Sequence, residues 1–178
     1  MDRLYGPNLF EHQIDYRYIL KGEYEMSELN LNIEPTQYKH ILVGVDESEQ
    51  GYFALANAIH QASEDDAQLT ITTILEMGDL STIDALNLGA VIAKRKEFEA
   101  NLARYKAYAE SQGAKNVRTI FADGAKAGEV LVNQIAPEVG ADLIIVGAHS
   151  KQGFWDSIGS QAAYIARHAK VSSMVARS

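Results

Sequence analysis

The stretch Asp142–Ser160, DLIIVGAHSKQGFWDSIGS, holds residues whose order could do chemistry. An apolar run, Leu143–Val146, ends in Gly147, and a polar loop bearing Gly153 follows. Gly159 and Ser160 then stand at the head of a helical pattern, Gln161–His168. Strand, glycine-bearing loop and helix N-terminus suit anion binding, because free backbone N–H groups and the helix dipole converge there. The spacing fits no standard phosphate-loop pattern. Any α/β protein has turns of this kind, so an ordinary turn stays open beside a phosphate site. Asp46 is a second candidate, a carboxylate that closes the apolar run Tyr38–Val45. Its bland role is that of a turn acceptor or cap partner.

Composition narrows the chemistry. The chain has 178 residues, 47% of them hydrophobic, enough for one domain with a full core and some extra length. Cysteine is absent, which removes disulfides, thiolate nucleophiles and cysteine-ligated metal sites. The chain shows no P-loop Lys-Ser/Thr, no GxSxG elbow, no HExxH and no HxE…CxxC. Net charge is −8, which disfavours general attraction to nucleic acid or to anionic membrane. No apolar run approaches the ~20 residues that span a bilayer. The first residues, MDRLYGPNLFEHQ, lack the basic start and apolar core of a signal peptide, so cytoplasm is the expected location.

Short apolar strands and amphipathic helices must position these residues. Strands are expected at Tyr38–Val45, Gln68–Leu75, Val117–Ala122, Asp142–Val146 and Val171–Arg177, from β-branched and apolar runs bounded by turn residues. Ser48 is a good N-cap for a helix whose stripe is Tyr52, Leu55, Ala56, Ile59 and Ala62. Gly78–Gly89 reads as a connector with a turn capped by Ser81. Val91–Ala109 is the longest helix, striped by Val91, Phe98, Leu102, Tyr105 and Ala109 and closed by Gly113. The charges around Lys94–Lys106 alternate in sign and read as a solvated face. Glu129–Val139 is helical, with Pro137 expected to kink it or end it early. The last helix runs from about Ile158 to Ala169.

The order β-α-β-α-β-α-β-α-β predicts an α/β fold: a three-layer, open, five-stranded parallel sheet with helices on both faces. Residues 1–37, rich in apolar and aromatic residues but without a single period, read either as an arm that packs on the domain or on a partner, or as a disordered tail. They carry seven acids and three bases, a net −4 that is half of the whole chain's net charge of −8. In open parallel sheets ligands sit outside the carboxyl ends of the strands, at the switch point. The Asp46 turn and the Gly147 loop both end there.

Three segments also carry a family resemblance. Tyr38–Ser48, YKHILVGVDES, resembles the first strand and DxS turn of universal stress proteins. Ala141–His149, ADLIIVGAH, resembles their fourth strand, and Gly159–Ala169 resembles their GS-initiated last helix with its closing RHA. The match covers residues 38–177 in order. It implies an adenine-nucleotide α-hydrolase-like fold, a dimer and a cytoplasmic, stress-related role; many members bind ATP and others do not. Binders resemble one another in a pattern of Gly, two residues, Gly, nine residues, Gly and Ser or Thr. Gly147 matches the first glycine, Ser150 stands where the second belongs, and Gly159–Ser160 match the closing pair one residue early. A serine there adds a Cβ, though its hydroxyl can donate to a phosphate oxygen. Lys151 is a local cation that could reach a phosphate, and Trp155 beside Phe154 reads as packing.

The resemblance implies that Gly147, Ser150, Gly159 and Ser160 hold phosphates, that Asp46 contacts the sugar or base, and that Gly44 lies beneath the base. Ile74 sits near the position that packs against adenine, with ordinary core as its alternative; Val146, His149 and Gln161 complete the candidate set. His168 reads as a cation at a helix C-terminus. ATP or a related adenine nucleotide, with or without magnesium, is the expected ligand of a regulatory protein. The alternative is a dimeric interaction module that has lost the nucleotide and serves a regulatory protein partner. An enzyme such as a slow ATPase is the least favoured, since no Ser-Gly-Gly loop follows the first strand. The final strand would lie at a sheet edge, and an unpaired edge invites a second chain; the resemblance implies a homodimer there, with Ser173 where proline is usual.

Overall fold

β1 (His40–Gly44) is the strand around which the sheet is laid. Its central Ile41, Leu42 and Val43 are fully buried, so both faces are covered, as a run of consecutive apolar residues requires. The computed structural model describes residues 34–76, 87–148 and 158–178. Expectations placed on the arm before residue 34, on Ser81 and on residues 149–157 lie outside the described residues. Gln37–Ser178 forms one compact unit.

After β1 come α1 (Glu49–Asp65), β2 (Gln68–Glu76), α2 (Leu88–Ser111) and β3 (Val117–Gly124). A composite helix, α3, follows: Ala127–Val130 as α, Leu131–Ile135 as π and Ala136–Val139 as α again. β4 (Leu143–Gly147), α4 (Ser160–His168) and β5 (Ser172–Ala176) complete the order. The sheet order is β3-β2-β1-β4-β5, and every neighbouring pair is parallel. From β1 the chain first winds outward through β2 and β3, then returns and winds the other way through β4 and β5.

Alternation along the strands divides the core in two. Ile41, Val43, Leu69, Ile71, Leu143 and Ile145 pack with Leu55 and Ile59 of α1 and Leu102 of α2. Leu42, Ile144 and Val146 face the other way, with Leu131 and Ile135 of α3 and Ile165 of α4. The expected open, three-layer α/β sheet is thus the architecture found. Asp142 fixes the lower end of the β1–β4 pair: its carboxylate accepts from the Lys39 and His40 backbone N–H groups at 2.8 and 3.0 Å, while its own N–H donates to the His40 carbonyl.

Some boundaries and faces differ from expectation. Ser48 does cap α1, its hydroxyl accepting from Gly51 N–H at 3.0 Å. The buried stripe of α1, however, is Gly51, Ala54, Leu55, Ala58, Ile59 and Ala62, and Tyr52 is 46% exposed. Small residues let the helix lie close to the sheet, so they, rather than the aromatic, take the inner face. α2 begins three residues before Val91, with the Asn87 side chain accepting from Gly89 and Ala90 N–H groups. Gly113 follows that helix at φ 95°, a left-handed value that favours glycine.

α3 starts before Glu129 and runs on past Pro137. The π-turn absorbs the proline: Ala136 N–H reaches back five residues to the Leu131 carbonyl, which widens the turn ahead of a ring that would otherwise clash. α4 and β5 are each shorter than their apolar patterns, starting at Ser160 and Ser172.

Substituting Asp142 by Ala removes two charge-assisted hydrogen bonds at one strand edge. The expected loss is about 1.5–3 kcal/mol in urea unfolding, with an unchanged slope.

Candidate functional site

Beyond Gly44 and Val146 the chain leaves the sheet on opposite courses, and the divergence opens a cleft of about 330 Å³ on the α3–α4 face. This is the switch point of the sheet, between β1 and β4. The volume falls at the lower end of the range for small-molecule sites, roughly 300–1,000 Å³. Gly44, Thr72, Ile74 and Val146 line its base, Leu131 and Ile165 add apolar wall, and Asp46, Glu76 and the start of α4 line the mouth.

Gly44 is paired across the sheet with Thr72 on one side and Val146 on the other. A Cβ at Gly44 would stand 2.9 Å from Leu131 Cδ1, so its bareness leaves room for the end of the Leu131 side chain at the cleft floor. Gly147 has a similar task on the opposite face. A Cβ there would stand 2.7 Å from the Gln50 carbonyl carbon and oxygen. Gly147 is therefore needed for the packing of α1 on the end of β4, whether or not a phosphate ever approaches it.

Asp46 fills the turn-acceptor and cap-partner role. Oδ1 accepts from the Ser48 N–H at 3.2 Å and from the Ser48 hydroxyl, and Ser48 in turn caps α1. Oδ2 has no hydrogen bond among the described residues, and Asp46 lines the cleft. The cap holds the aspartate in place and leaves one oxygen to accept from a ligand.

Gln161 and Glu76 form a clasp across the mouth. Glu76 Oε1 accepts from Ala127 N–H at 2.6 Å and from Gln161 Nε2 at 3.0 Å, while Gln161 Oε1 accepts from Gly128 N–H at 2.8 Å. The end of β2 and the starts of α3 and α4 are thereby joined. A Cβ on Gly128 would come within 3.0 Å of Gln161 oxygens, so glycine is needed for that approach. The clasp also uses the first N–H groups of α3, which leaves α4 as the helix end turned to the cleft. Gly159 enters α4 at φ 72°, a value that favours glycine, and among the described residues no side chain caps the helix.

The structure thus gathers Gly44, Asp46, Ile74, Val146, Gly147, Gly159, Ser160 and Gln161 around one cleft. His149 and Ser150 lie outside the described residues, as do Lys151, Gly153 and Trp155. Thr72, Glu76 and Leu131 are not among the candidate residues read from the sequence. The signal for Thr72 and Glu76 was available: both share parity with Ile74 along β2, so all three side chains leave the same face. Leu131 carried none, because nothing local distinguishes it from other core leucines.

A smaller hollow on the other face is lined by Asp46, Glu47, Lys94, Phe98, Asn101 and Tyr105. Burial, reinforced by the Tyr52 hydroxyl and the nearby acids Glu47 and Asp46, raises the Tyr105 phenol well above its usual value. Tyr105 stays protonated at working pH and cannot serve as a base. Among the described residues no group of three or more His, Asp or Glu could hold a metal ion. No described helix is long and apolar enough to cross a membrane.

Gly147→Ala tests the packing role of that glycine. The added methyl should lower the stability of the ligand-free protein by about 1–3 kcal/mol, read by thermal or urea unfolding.

Comparison with known proteins supplies the lineage. A relative of universal-stress-protein type from Staphylococcus epidermidis is 33% identical over 142 residues, 79% of this chain and 84% of its own length. One from Staphylococcus haemolyticus is 30% identical over 141 residues, 79% of this chain and 85% of its own. Among solved structures, universal stress protein UspA from Lactobacillus plantarum superposes with a TM-score of 0.70 at 22% identity, covering 80% of this chain and all of that one. A universal stress protein in complex with cAMP gives 0.60 at 24%, covering 80% and 98%. The Archaeoglobus fulgidus protein in complex with dAMP gives 0.56 at 21%, covering 80% and 100%. The family model described as "Universal stress protein family" matches residues 37–177, and this chain belongs to that family.

Proposed function

We propose that this protein is a cytoplasmic, stress-response regulatory protein that binds an adenine nucleotide, ATP or a close relative, in the switch-point cleft. The observation that carries the reading is the convergence at one cleft of an apolar floor, an unused carboxylate oxygen and an uncapped helix N-terminus. The floor suits a heterocycle, Asp46 Oδ2 suits a sugar hydroxyl, and the first N–H groups of α4 suit a phosphate. Structural neighbours in complex with cAMP and dAMP support an adenine nucleotide as the ligand class.

Magnesium, in this reading, arrives on the ligand's phosphates. Among the described residues Asp46 and Glu76 are the two carboxylates lining the cleft, and Glu76 is already engaged in the clasp. The role in this reading is regulatory binding. The protein acts as a homodimer through β5, whose one pairing among the described strands is with β4 and whose other edge can accept a second chain.

The second reading, an interaction module without nucleotide, draws on the clasp. Glu76 fills the α3 N-terminus with a protein carboxylate and sets a negative charge at the mouth. In that case the dimer or a regulatory protein partner carries the function.

Calorimetry with ATP, AMP and cAMP, together with nucleotide analysis of the purified protein, separates the two. The first reading predicts saturable binding, weakened about tenfold by Asp46→Ala through the loss of one charge-assisted hydrogen bond. No binding at millimolar ATP with magnesium, and no co-purified nucleotide, would leave the interaction module.

A further inference from the structure

Thr72 is the one described residue that lines the cleft with a buried side-chain polar atom lacking a hydrogen-bond partner. Its side chain is fully buried, in the middle of the strand next to β1. The neighbouring threonine is different: Thr73 Oγ1 faces the other side and donates to the Val45 carbonyl at 3.1 Å. An unpartnered buried hydroxyl is destabilising, and valine has nearly the same shape without that cost. A partner supplied from outside the chain accounts for a hydroxyl at this place.

The surroundings specify the kind of partner. Thr72 pairs in register with Gly44, which has no side chain, and shares its strand face with Ile74. Leu131 and Val146 complete an apolar floor around it. The two carboxylates, Asp46 and Glu76, also line this cleft, while the uncapped end of α4 offers its N–H groups elsewhere on the rim. A phosphate is better held at α4, and a flat heterocycle fits the floor. A χ1 step of about 120° can carry the threonine hydroxyl into the methyl position, the methyl moving to where Hβ stood, without moving the backbone.

We propose that Thr72 is a base-reading residue: its hydroxyl donates to a ring-nitrogen acceptor of the purine and makes the cleft prefer a purine to a pyrimidine nucleotide. The assignment rests on the nucleotide reading above and adds to it the atom that discriminates. A hydrogen bond to a base edge in a desolvated pocket discriminates strongly, because the ligand lacking the acceptor leaves the protein group unpaired.

The test compares wild type, Thr72→Val and Thr72→Ser by calorimetry with AMP and with CMP, and by thermal unfolding without ligand. Thr72→Val should raise the Kd for AMP about tenfold and that for CMP much less, narrowing the preference. Thr72→Ser, which keeps the hydroxyl, should stay within about twofold of wild type for AMP. Ligand-free Thr72→Val should melt at or above the wild-type temperature, since no partner is lost. Unchanged AMP binding by Thr72→Val, an equal loss for AMP and CMP, or a ligand-free melting temperature well below wild type would overturn the assignment while leaving the nucleotide reading intact. A wild-type protein that binds neither nucleotide overturns that reading, and the assignment with it.

Discussion

β1 hydrogen-bonds to β2 on one side and to β4 on the other, all three parallel, and the rest of the molecule depends on that central pairing. Because β1 is buried on both faces, helices must cover both, and parallel strands need crossovers that supply them. Because the chain winds one way from β1 and later the other, the segments leaving β1 and β4 part company and cannot fill the space between them. The cleft is what a doubly wound sheet leaves open at its centre. Its walls are then built by whatever follows each strand: the Asp46 turn after β1, the start of α3 after β3, the start of α4 after β4.

Glycines and short polar links fit those walls together. Gly44 admits Leu131 to the floor, Gly147 admits the start of α1, and Gly128 admits Gln161. Gly147 and Gly128 are explained by close backbone approach, and Gly44 by room for the Leu131 side chain, before any ligand is considered. Hydrogen bonds then hold the rim: Asp46 to Ser48 on one side, the Glu76–Gln161–Gly128 clasp on the other. Among the described residues, Asp46 Oδ2, the first N–H groups of α4 and the Thr72 hydroxyl are groups the frame does not use, and the proposed nucleotide binding would fall to them.

Much of this was legible in the sequence, for physical reasons. Short, β-branched apolar runs in YKHILVGV and DLIIVGAH, closed by turn residues, read as strands buried on both faces, and Ser48 and Gly113 mark helix ends through local chemistry that needs no tertiary context. What stayed hidden depends on contact. The inner face of α1 is set by the small residues Gly51, Ala54 and Ala58, whose value appears only when the sheet is beneath them. Pro137 looked like a helix breaker because a π-turn is a backbone solution with no residue signature of its own. Gln161 was placed at the site by resemblance, but its clasp joins residues far apart in sequence, Glu76 and Gly128.

The central claim is that a purine nucleotide lies across the switch point with its base on the β1–β2 floor and its phosphate at the start of α4. A crystal structure of the protein with AMP tests this most directly. The account predicts the base over Gly44 and Thr72, a sugar hydroxyl on Asp46 and phosphate oxygens on the backbone N–H groups of Ser160 and Gln161. Density for AMP at any other place on the protein, with the cleft free of it, would contradict the account.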